Sequence, residues 1–206
     1  MLGSFTIEGI PTAALGSRKE RTLAKLLTLA RGRPVSAETV IDALWGDRPP
    51  ARPHDQLTVL VSRLRSVVGG ERLVREPGGY RLVISWLDLD AMVELVGDAE
   101  RRLRENRPVA ARAAAQAAIA LAGPLLPDEL DAPWTQADRG LASRVQGRAY
   151  VAASEAALAA GEPAAAIEHA EQALVHDPFD EVALRAVMRA QGVAGRPGAC
   201  WRPTPG

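Results

Sequence analysis

The chain has 206 residues, of which 47% are hydrophobic and only 4% aromatic, so it can bury one large or two small cores built mostly from aliphatic side chains. Its single cysteine, Cys200, excludes an internal disulfide and a cysteine-based zinc site. No stretch of the sequence reaches the ~18–20 apolar residues of a membrane span, and the first residues lack the pattern of a signal peptide. We therefore expect a cytoplasmic protein without membrane contact.

The formal net charge of zero conceals two halves of opposite sign. Residues 1–86 carry 13 Lys/Arg against 8 Asp/Glu, whereas residues 87–206 carry 12 against 17. Such an asymmetry predicts that the first half faces nucleic acid and that the second half does not.

The first elements in chain order are two short strands, expected at residues 5–7 and 12–15, followed by two helices. Ser17 can cap a helix that runs to residue 31, and a second helix is expected over residues 36–44, closed by Trp45 and Gly46. In the first helix the apolar stripe faces inward, and four basic residues are expected on the opposite, exposed side: Arg18, Lys19, Arg21 and Lys25.

Residues 53–68 form the most informative predicted helix. Pro53 suits a first helical position, Gly69 and Gly70 end the helix, and apolar residues recur at helical spacing: Leu57, Leu60, Val61, Leu64, Val67 and Val68. The opposite face carries Gln56, Thr58, Val59, Ser62, Arg63 and Ser66, with Arg65 at its edge. No acidic residue follows Asp55 until Glu71. Because this face offers hydrogen-bonding groups and arginines without carboxylates, it suits the major groove of DNA.

Two alternating runs follow, at residues 72–75 and 80–84, and the Glu-Pro-Gly-Gly segment between them predicts a hairpin spanning residues 72–84. Two helices, a long helix and a hairpin are the order of a winged helix-turn-helix, which we place at residues 1–86.

A second, all-helical domain is expected over residues 87–195, with helices at about 89–106, 109–122 and 134–160. A further helix with its exit turn is expected within residues 161–178, followed by a last helix at 179–193. Gly161-Glu162-Pro163 recurs 34 residues later as Gly195-Arg196-Pro197, which is the period of a tetratricopeptide repeat. The alternative is an Ala-rich bundle in which this period is accidental. The final helix is expected to expose Val182, Leu184, Val187 and Met188, and residues 196–206 are expected to form an irregular tail that looks truncated or out of frame. The expected fold is therefore mainly α with small β elements.

These residues resemble a known family. The segments DALWG (residues 42–46) and VSRLR (residues 61–65), with LVREPGGYRL (residues 73–82), are similar to the OmpR-type winged-helix domain of the antibiotic regulatory protein (SARP) family. The region from Leu87 onward resembles that family's bacterial transcriptional activation domain. The resemblance implies sequence-specific binding to double-stranded DNA, activation of transcription through RNA polymerase, direct-repeat sites occupied by a possible homodimer, and association with the nucleoid.

The resemblance also assigns roles to individual residues. It places Thr58, Val59, Arg63 and Arg65 at positions that meet bases or nearby phosphates. Arg63 and Arg65 lie about 200° apart around the helix, so both cannot enter the groove centrally. Arg63 is the stronger candidate for a base, while Arg65 can instead bind a phosphate or form a surface ion pair.

Phosphate contacts are expected from six further residues, namely Arg33, Ser36, Thr39, Ser62, Arg75 and Arg81. Arg33, Ser36 and Thr39 adjoin the N-terminus of the second helix, where donors can meet a phosphate. Simple helix capping explains Ser36 and Thr39 equally well. A solvated hairpin without DNA contact remains the alternative for Arg75 and Arg81.

Other functions find little support in the sequence. His54, His169 and His176 lack metal-ligand spacing, and the nucleotide-binding and hydrolase motifs are missing, so neither a cofactor nor enzymatic activity is expected. Two function classes stay open. The first is a DNA-binding regulator, and the second is a protein–protein interaction module whose winged helix serves only as a scaffold.

Overall fold

The computed structural model describes residues 1–195, so the expected irregular tail at 196–206 lies outside the described residues. The chain divides into two compact units. The N-terminal unit contains Met1, Gly3–Leu87 and Leu125–Asp138, and the helical unit contains Leu2, Asp88–Pro124 and the described residues from Arg139 onward. The sequence-based boundary at residue 87 did not anticipate that Leu125–Asp138 would join the N-terminal unit.

Three helices and a hairpin build the N-terminal unit: α1 (Arg18–Leu29), α2 (Ala37–Trp45), α3 (Pro53–Val68), β1 (Leu73–Glu76) and β2 (Gly79–Leu82). Helix α1 starts with a complete capping box, in which the Ser17 hydroxyl accepts from the Glu20 amide and the Glu20 carboxylate accepts from the Ser17 amide. The core between these elements is aliphatic, as the helical spacing predicted, and Leu23, Leu27, Leu57, Leu64 and Leu73 are almost completely buried.

The two strands expected before α1 are absent from the described residues. Ile7 and Ile10 form an isolated bridge, and Thr12–Leu15 is a 3-10 helical turn. Pro11, with φ of −59°, immediately precedes this turn, and the turn carries Leu15 into the core. A segment this short, without a neighbouring strand, buries its one large apolar side chain more effectively by turning than by extending.

The hairpin is shorter than the predicted span of residues 72–84. Leu73 pairs with Leu82 and Glu76 with Gly79, and Val35 adds two further hydrogen bonds to Tyr80, at 2.8 and 2.9 Å. Gly79 has a φ of +127°, and a Cβ there would lie 1.9 Å from the Val35 carbonyl oxygen. Glycine is therefore required for the hairpin to dock on the segment between α1 and α2.

Leu125–Asp138, which we call the strap, covers α1 and buries a side that the sequence predicted to be exposed. Lys25 was expected among solvent-facing basic residues, but its side chain is only 2% exposed and forms ion pairs with Asp128 and Glu129. Adding the four acidic residues of the strap to the +5 balance of residues 1–86 leaves +1. The basic character of the N-terminal unit is therefore weaker than its sequence suggested.

The helical unit contains α4 (Asp88–Arg104), α5 (Pro108–Ala120), α7 (Pro163–His176) and α8 (Glu181–Val193). It also contains α6 (Gln136–Ala159) from Arg139 onward. Short turns join α4 to α5, α6 to α7 and α7 to α8, as expected for antiparallel helix pairs. Alanine dominates the contacts between these helices. In one core cluster the buried residues are all alanines, namely Ala157, Ala166 and Ala190, and partly buried apolar side chains pack around them. Close packing through small side chains matches the predicted tetratricopeptide-like arrangement.

Helix α8 differs in part from its expected exposure. Val187 and Leu184 were predicted to face solvent, but Val187 is buried among Val151, Leu174 and Ala183, and Leu184 is half-buried against the same cluster. The reason is that α8 packs on α6 and α7 through this side. Val182 and Met188 are exposed, as expected. Across residues 1–195, no helix combines the length and the apolar character that crossing a bilayer would demand.

Candidate nucleic-acid interface

The outer side of α3 is the surface that the sequence assigned to DNA. Leu57, Leu60, Val61, Leu64 and Val68 are buried on the core side of the helix. The other side exposes Gln56, Thr58, Val59, Ser62, Arg63 and Ser66, which we call the α3 face. Within the described residues of the N-terminal unit, this face remains open to solvent. Val59 is half exposed, so its methyl groups can contact a thymine methyl group.

Arg63 projects from this face with 65% of its side chain exposed. One terminal nitrogen, Nη1, lies 3.2 Å from Oε1 of Glu20 in α1. The sequence predicted a face without carboxylates because no acid lies nearby along α3. The structure corrects this expectation, since folding brings a carboxylate from 43 residues away to the guanidinium of Arg63. The guanidinium is neither buried nor covered.

Arg65 is held differently. Its side chain is half-buried, and its Nε donates a hydrogen bond of 2.9 Å to the carbonyl oxygen of Leu73 in β1. This bond joins the end of α3 to the hairpin. Arg65 therefore does not form the surface ion pair considered above, and it does not lie at the centre of the α3 face. Only its terminal nitrogens can still contact a ligand.

Two of the hydroxyl groups along α3 donate hydrogen bonds to the helix backbone. Thr58 donates to the His54 carbonyl oxygen at 2.9 Å, and Ser66 donates to the Arg63 carbonyl oxygen at 2.7 Å. Each hydroxyl oxygen can still accept a hydrogen bond from outside. Ser62 is exposed between Thr58 and Ser66, so the three hydroxyls follow one line along the helix.

The two hairpin arginines differ in their partners. Arg75 is exposed, and its guanidinium carbon lies 6.0 Å from the centroid of the Tyr80 ring. Arg81 is half-buried, and its Nε forms a 2.6 Å ion pair with Glu76 across the hairpin. Because the charge of Arg81 is already compensated, Arg75 is the better candidate for a phosphate.

At the N-terminus of α2, Ser36 caps the helix. Its Oγ accepts from the Thr39 amide at 3.1 Å and lies 3.0 Å from the Thr39 hydroxyl. Arg33 is exposed and donates through Nε to the Ala30 carbonyl oxygen at 3.1 Å. The capping interpretation therefore describes Ser36, whose hydroxyl caps the helix. The phosphate interpretation remains open for Arg33, whose terminal nitrogens are still available.

Two features of this region escaped the sequence analysis. The first is Glu20, which the pattern Ser17-x-x-Glu20 marks as a capping-box residue but not as a neighbour of Arg63. The second is the docking of Gly79 and Tyr80 on Val35, for which the Pro-Gly-Gly run was the only local signal. Over residues 1–195 no group of three or more metal-ligating side chains comes together.

Comparison with known proteins gives two family matches in tandem. The family "Transcriptional regulatory protein, C terminal" matches residues 12–82, and the family "Bacterial transcriptional activator domain" matches residues 87–202. The second match alone covers more than half of the chain.

Individual relatives agree with these families. The regulatory protein AfsR of Streptomyces griseus is 40% identical over 88 residues, which cover 42% of this chain and 9% of AfsR. The transcriptional regulatory protein EmbR of Mycobacterium tuberculosis (strain H37Rv) is 29% identical over 186 residues, or 86% of this chain and 48% of EmbR. A solved structure of M. tuberculosis EmbR in complex with a low-affinity phosphopeptide superposes with a TM-score of 0.84 at 28% identity, covering 95% of this chain and 54% of that one.

The chain thus spans about half the length of EmbR and about a tenth of AfsR. Its two matched domains stand in the order that the resemblance implied, with the winged helix first and the helical domain second. The chain belongs to the SARP-type family of transcriptional regulators, in which a winged-helix domain is followed by a bacterial transcriptional activator domain.

Proposed function

We propose that this chain is a sequence-specific DNA-binding transcriptional regulator that acts as an activator. Helix α3 (Pro53–Val68) enters the major groove, and the hairpin region 72–84 lies along the adjacent backbone and minor groove. The observation that carries the proposal is the open α3 face, from which Arg63 projects with most of its side chain in solvent. An arginine fork directed at guanine O6 and N7 is the commonest specific contact in the major groove.

Within this proposal the α3 face reads bases through Arg63, Val59 and Thr58. Arg65 is assigned to the DNA backbone rather than to a base, because its Nε is committed to the Leu73 carbonyl. We assign further phosphate contacts to Ser62 and Arg75, which are exposed, and to Arg33, whose terminal nitrogens stay available. Ser36 and Thr39 contribute less because they cap α2, and Arg81 contributes less because Glu76 compensates its charge. Phosphate contacts fix the register of the protein on the duplex but do not select the sequence.

The test begins with a duplex selected by the wild-type chain from a randomised pool and with a scrambled duplex of the same composition. Gel shifts over a series of salt concentrations should show tighter binding to the selected duplex and a steep loss of affinity with salt. Arg63→Ala should weaken binding to the selected duplex by about 1–3 kcal/mol and binding to the scrambled duplex by less. Arg185→Ala, which removes an exposed arginine of α8, serves as the control.

If the wild-type chain shows no preference for any sequence, the regulator proposal fails and the interaction-module alternative takes its place. If Arg63→Ala weakens both duplexes equally, Arg63 contacts only the backbone. These two outcomes separate the function itself from the assignment of its base-reading residue.

For activation we propose that the helical unit contacts a protein partner, with RNA polymerase the partner that family membership favours. This unit exposes large apolar side chains, including Phe179 at 87%, and has a groove of about 490 Å³ bordered by Leu103, Val151 and Val182. Phe179→Asp should leave DNA affinity unchanged and lower expression from a reporter with the selected site. Two copies on a direct repeat at the nucleoid would complete the assembly, and the stoichiometry of the gel-shift complex tests this part.

A further inference from the structure

The carboxylate of Glu20 lies beside the guanidinium of Arg63, and the Glu20 side chain is only 8% exposed. Both of its oxygens are engaged. Oε2 accepts from the Ser17 amide at 2.9 Å, and Oε1 accepts from Nη1 of Arg63 at 3.2 Å. A buried carboxylate is stable only when it is hydrogen-bonded and charge-compensated, and these two contacts supply both conditions.

The position of this carboxylate is fixed by its surroundings. The capping box ties Glu20 to Ser17 at both backbone and side chain. Gly16, with a φ of +64°, leaves the space that the carboxylate fills, since a Cβ there would lie 1.7 Å from Oε2. Glu20 therefore presents a fixed acceptor to α3 rather than a mobile surface charge.

The contact between Glu20 and Arg63 occupies only part of the guanidinium. It uses a single terminal nitrogen, and 65% of the arginine side chain remains exposed, so the rest of the guanidinium plane faces solvent. An arginine samples many rotamers when it is free, and ordering it upon binding costs conformational entropy. The Glu20 contact restricts those rotamers before any ligand arrives.

We propose that Glu20 is the positioning residue that determines the specificity of Arg63. This inference rests on the proposed DNA-binding function. An untethered arginine on the α3 face could bind any nearby phosphate and would add affinity for every sequence. With the Glu20 carboxylate beside it, the guanidinium attracts phosphates less strongly, while its outward donors stay directed at base edges. Glu20 thereby lowers binding to wrong sequences more than binding to the right one.

The decisive variant is Glu20→Gln, because glutamine keeps the capping-box hydrogen bond and removes the charge. We measure dissociation constants for the selected and the scrambled duplexes described above, using the full chain. The ratio of the two constants should fall on the order of tenfold, with weaker binding to the selected duplex and equal or tighter binding to the scrambled one. Glu8→Gln, which removes an exposed acid of the same unit, should change the ratio by less than about twofold.

A second arm separates positioning from a general structural role. If Glu20 acts through Arg63, Glu20→Gln should change the ratio no further in an Arg63→Ala background. A purely structural role would instead weaken both duplexes in either background. Should Glu20→Gln fail to fold, Glu20→Asp carries the test, because its shorter side chain keeps the charge but withdraws the carboxylate from Nη1.

The outcomes are distinguishable from those of the proposed function. An unchanged ratio in Glu20→Gln, in a protein whose Arg63→Ala variant does lose specificity, overturns the positioning role and leaves the regulator intact. A wild-type chain without sequence preference overturns both.

Discussion

The Nζ of Lys25 lies 3.0 Å from Oε1 of Glu129, and the two side chains are buried together between α1 and the strap. The Thr22 hydroxyl donates to the same carboxylate oxygen at 2.9 Å, and Lys25 also contacts Asp128. Partial burial opposes ionisation of Asp128, but the hydrogen bond and charge of Lys25 outweigh it and hold the pKa of that carboxyl below its usual value. The strap is thus attached to the N-terminal unit by a lysine whose charge is compensated from two sides.

Lys25→Met should destabilise the N-terminal unit by about 3–5 kcal/mol, because Glu129 would remain buried without its counter-charge. Urea denaturation followed by tryptophan fluorescence measures the loss, since Trp45 and Trp134 both lie in this unit. The double variant Lys25→Met/Glu129→Leu should recover much of the stability, because it removes both charges and keeps the volume filled. Arg18→Met, an exposed cation on the same helix, should change the stability by no more than about 0.5 kcal/mol. A Lys25→Met protein as stable as the Arg18→Met control would show that the ion pair contributes nothing.

Apolar contacts should hold the strap as well. Leu125 is almost completely buried, whereas Leu130, five residues further along the same segment, is mostly exposed. Leu125→Ala should therefore lower the free energy of unfolding by about 2–5 kcal/mol, and Leu130→Ala should have an effect within about 0.5 kcal/mol. The two variants delete the same atoms from the same segment, so equal effects in urea denaturation would mean that the strap does not pack as described.

Gly79→Ala tests the docking of the hairpin. The substitution places a Cβ 1.9 Å from the Val35 carbonyl oxygen and demands a φ of +127°, which side chains rarely adopt. Backbone strain of this kind costs about 1–3 kcal/mol, and the two hydrogen bonds between Val35 and Tyr80 should be lost in addition. The expected result is a lower melting temperature and weaker DNA binding in gel shifts. Gly70→Ala is the matched control, because its Cβ would meet no atom within 4 Å and its φ is not positive. Equal melting temperatures for the two variants would contradict the docked geometry.

The origin of each structural feature explains which of them the sequence could predict. The bounds of α3 follow from apolar residues at helical spacing between Pro53 and Gly69, which are all local signals. The burial of Lys25 has no local signal, because a lysine on the polar side of an amphipathic helix is normally exposed and its partners lie 103 and 104 residues away. The Glu20–Arg63 contact could be predicted from the sequence only in part. The capping box was readable at Ser17 and Glu20, but only the packing of α1 on α3 makes the pair. Local periodicity thus predicted the elements of the interface, and long-range packing decided which of its charges are compensated.

The helical unit should lose stability in mild acid because of two histidines beside Tyr150. The rings of His176 and His169 lie 5.8 and 6.4 Å from the Tyr150 ring. Burial lowers the pKa of His176 below its ordinary value of 6.5. Burial also lowers the pKa of His169, aided by Arg112 and opposed by Glu168. The unfolded chain therefore binds protons at a higher pH than the folded chain, so stability rises with pH between the two pKa values.

Unfolding of the full chain in urea, followed by circular dichroism at pH 8 and at pH 5, tests this expectation. The helical unit should be most stable above about pH 7.5 and should weaken as the pH falls through about 6.5, where unfolded histidine takes up its proton. His169→Gln/His176→Gln should flatten this dependence, because glutamine carries no proton to gain. His54→Gln, at an exposed position in the N-terminal unit, should leave it unchanged. If the double variant keeps the full pH dependence, His169 and His176 do not cause it. The acidic residues of the helical unit must then account for the change of stability with pH.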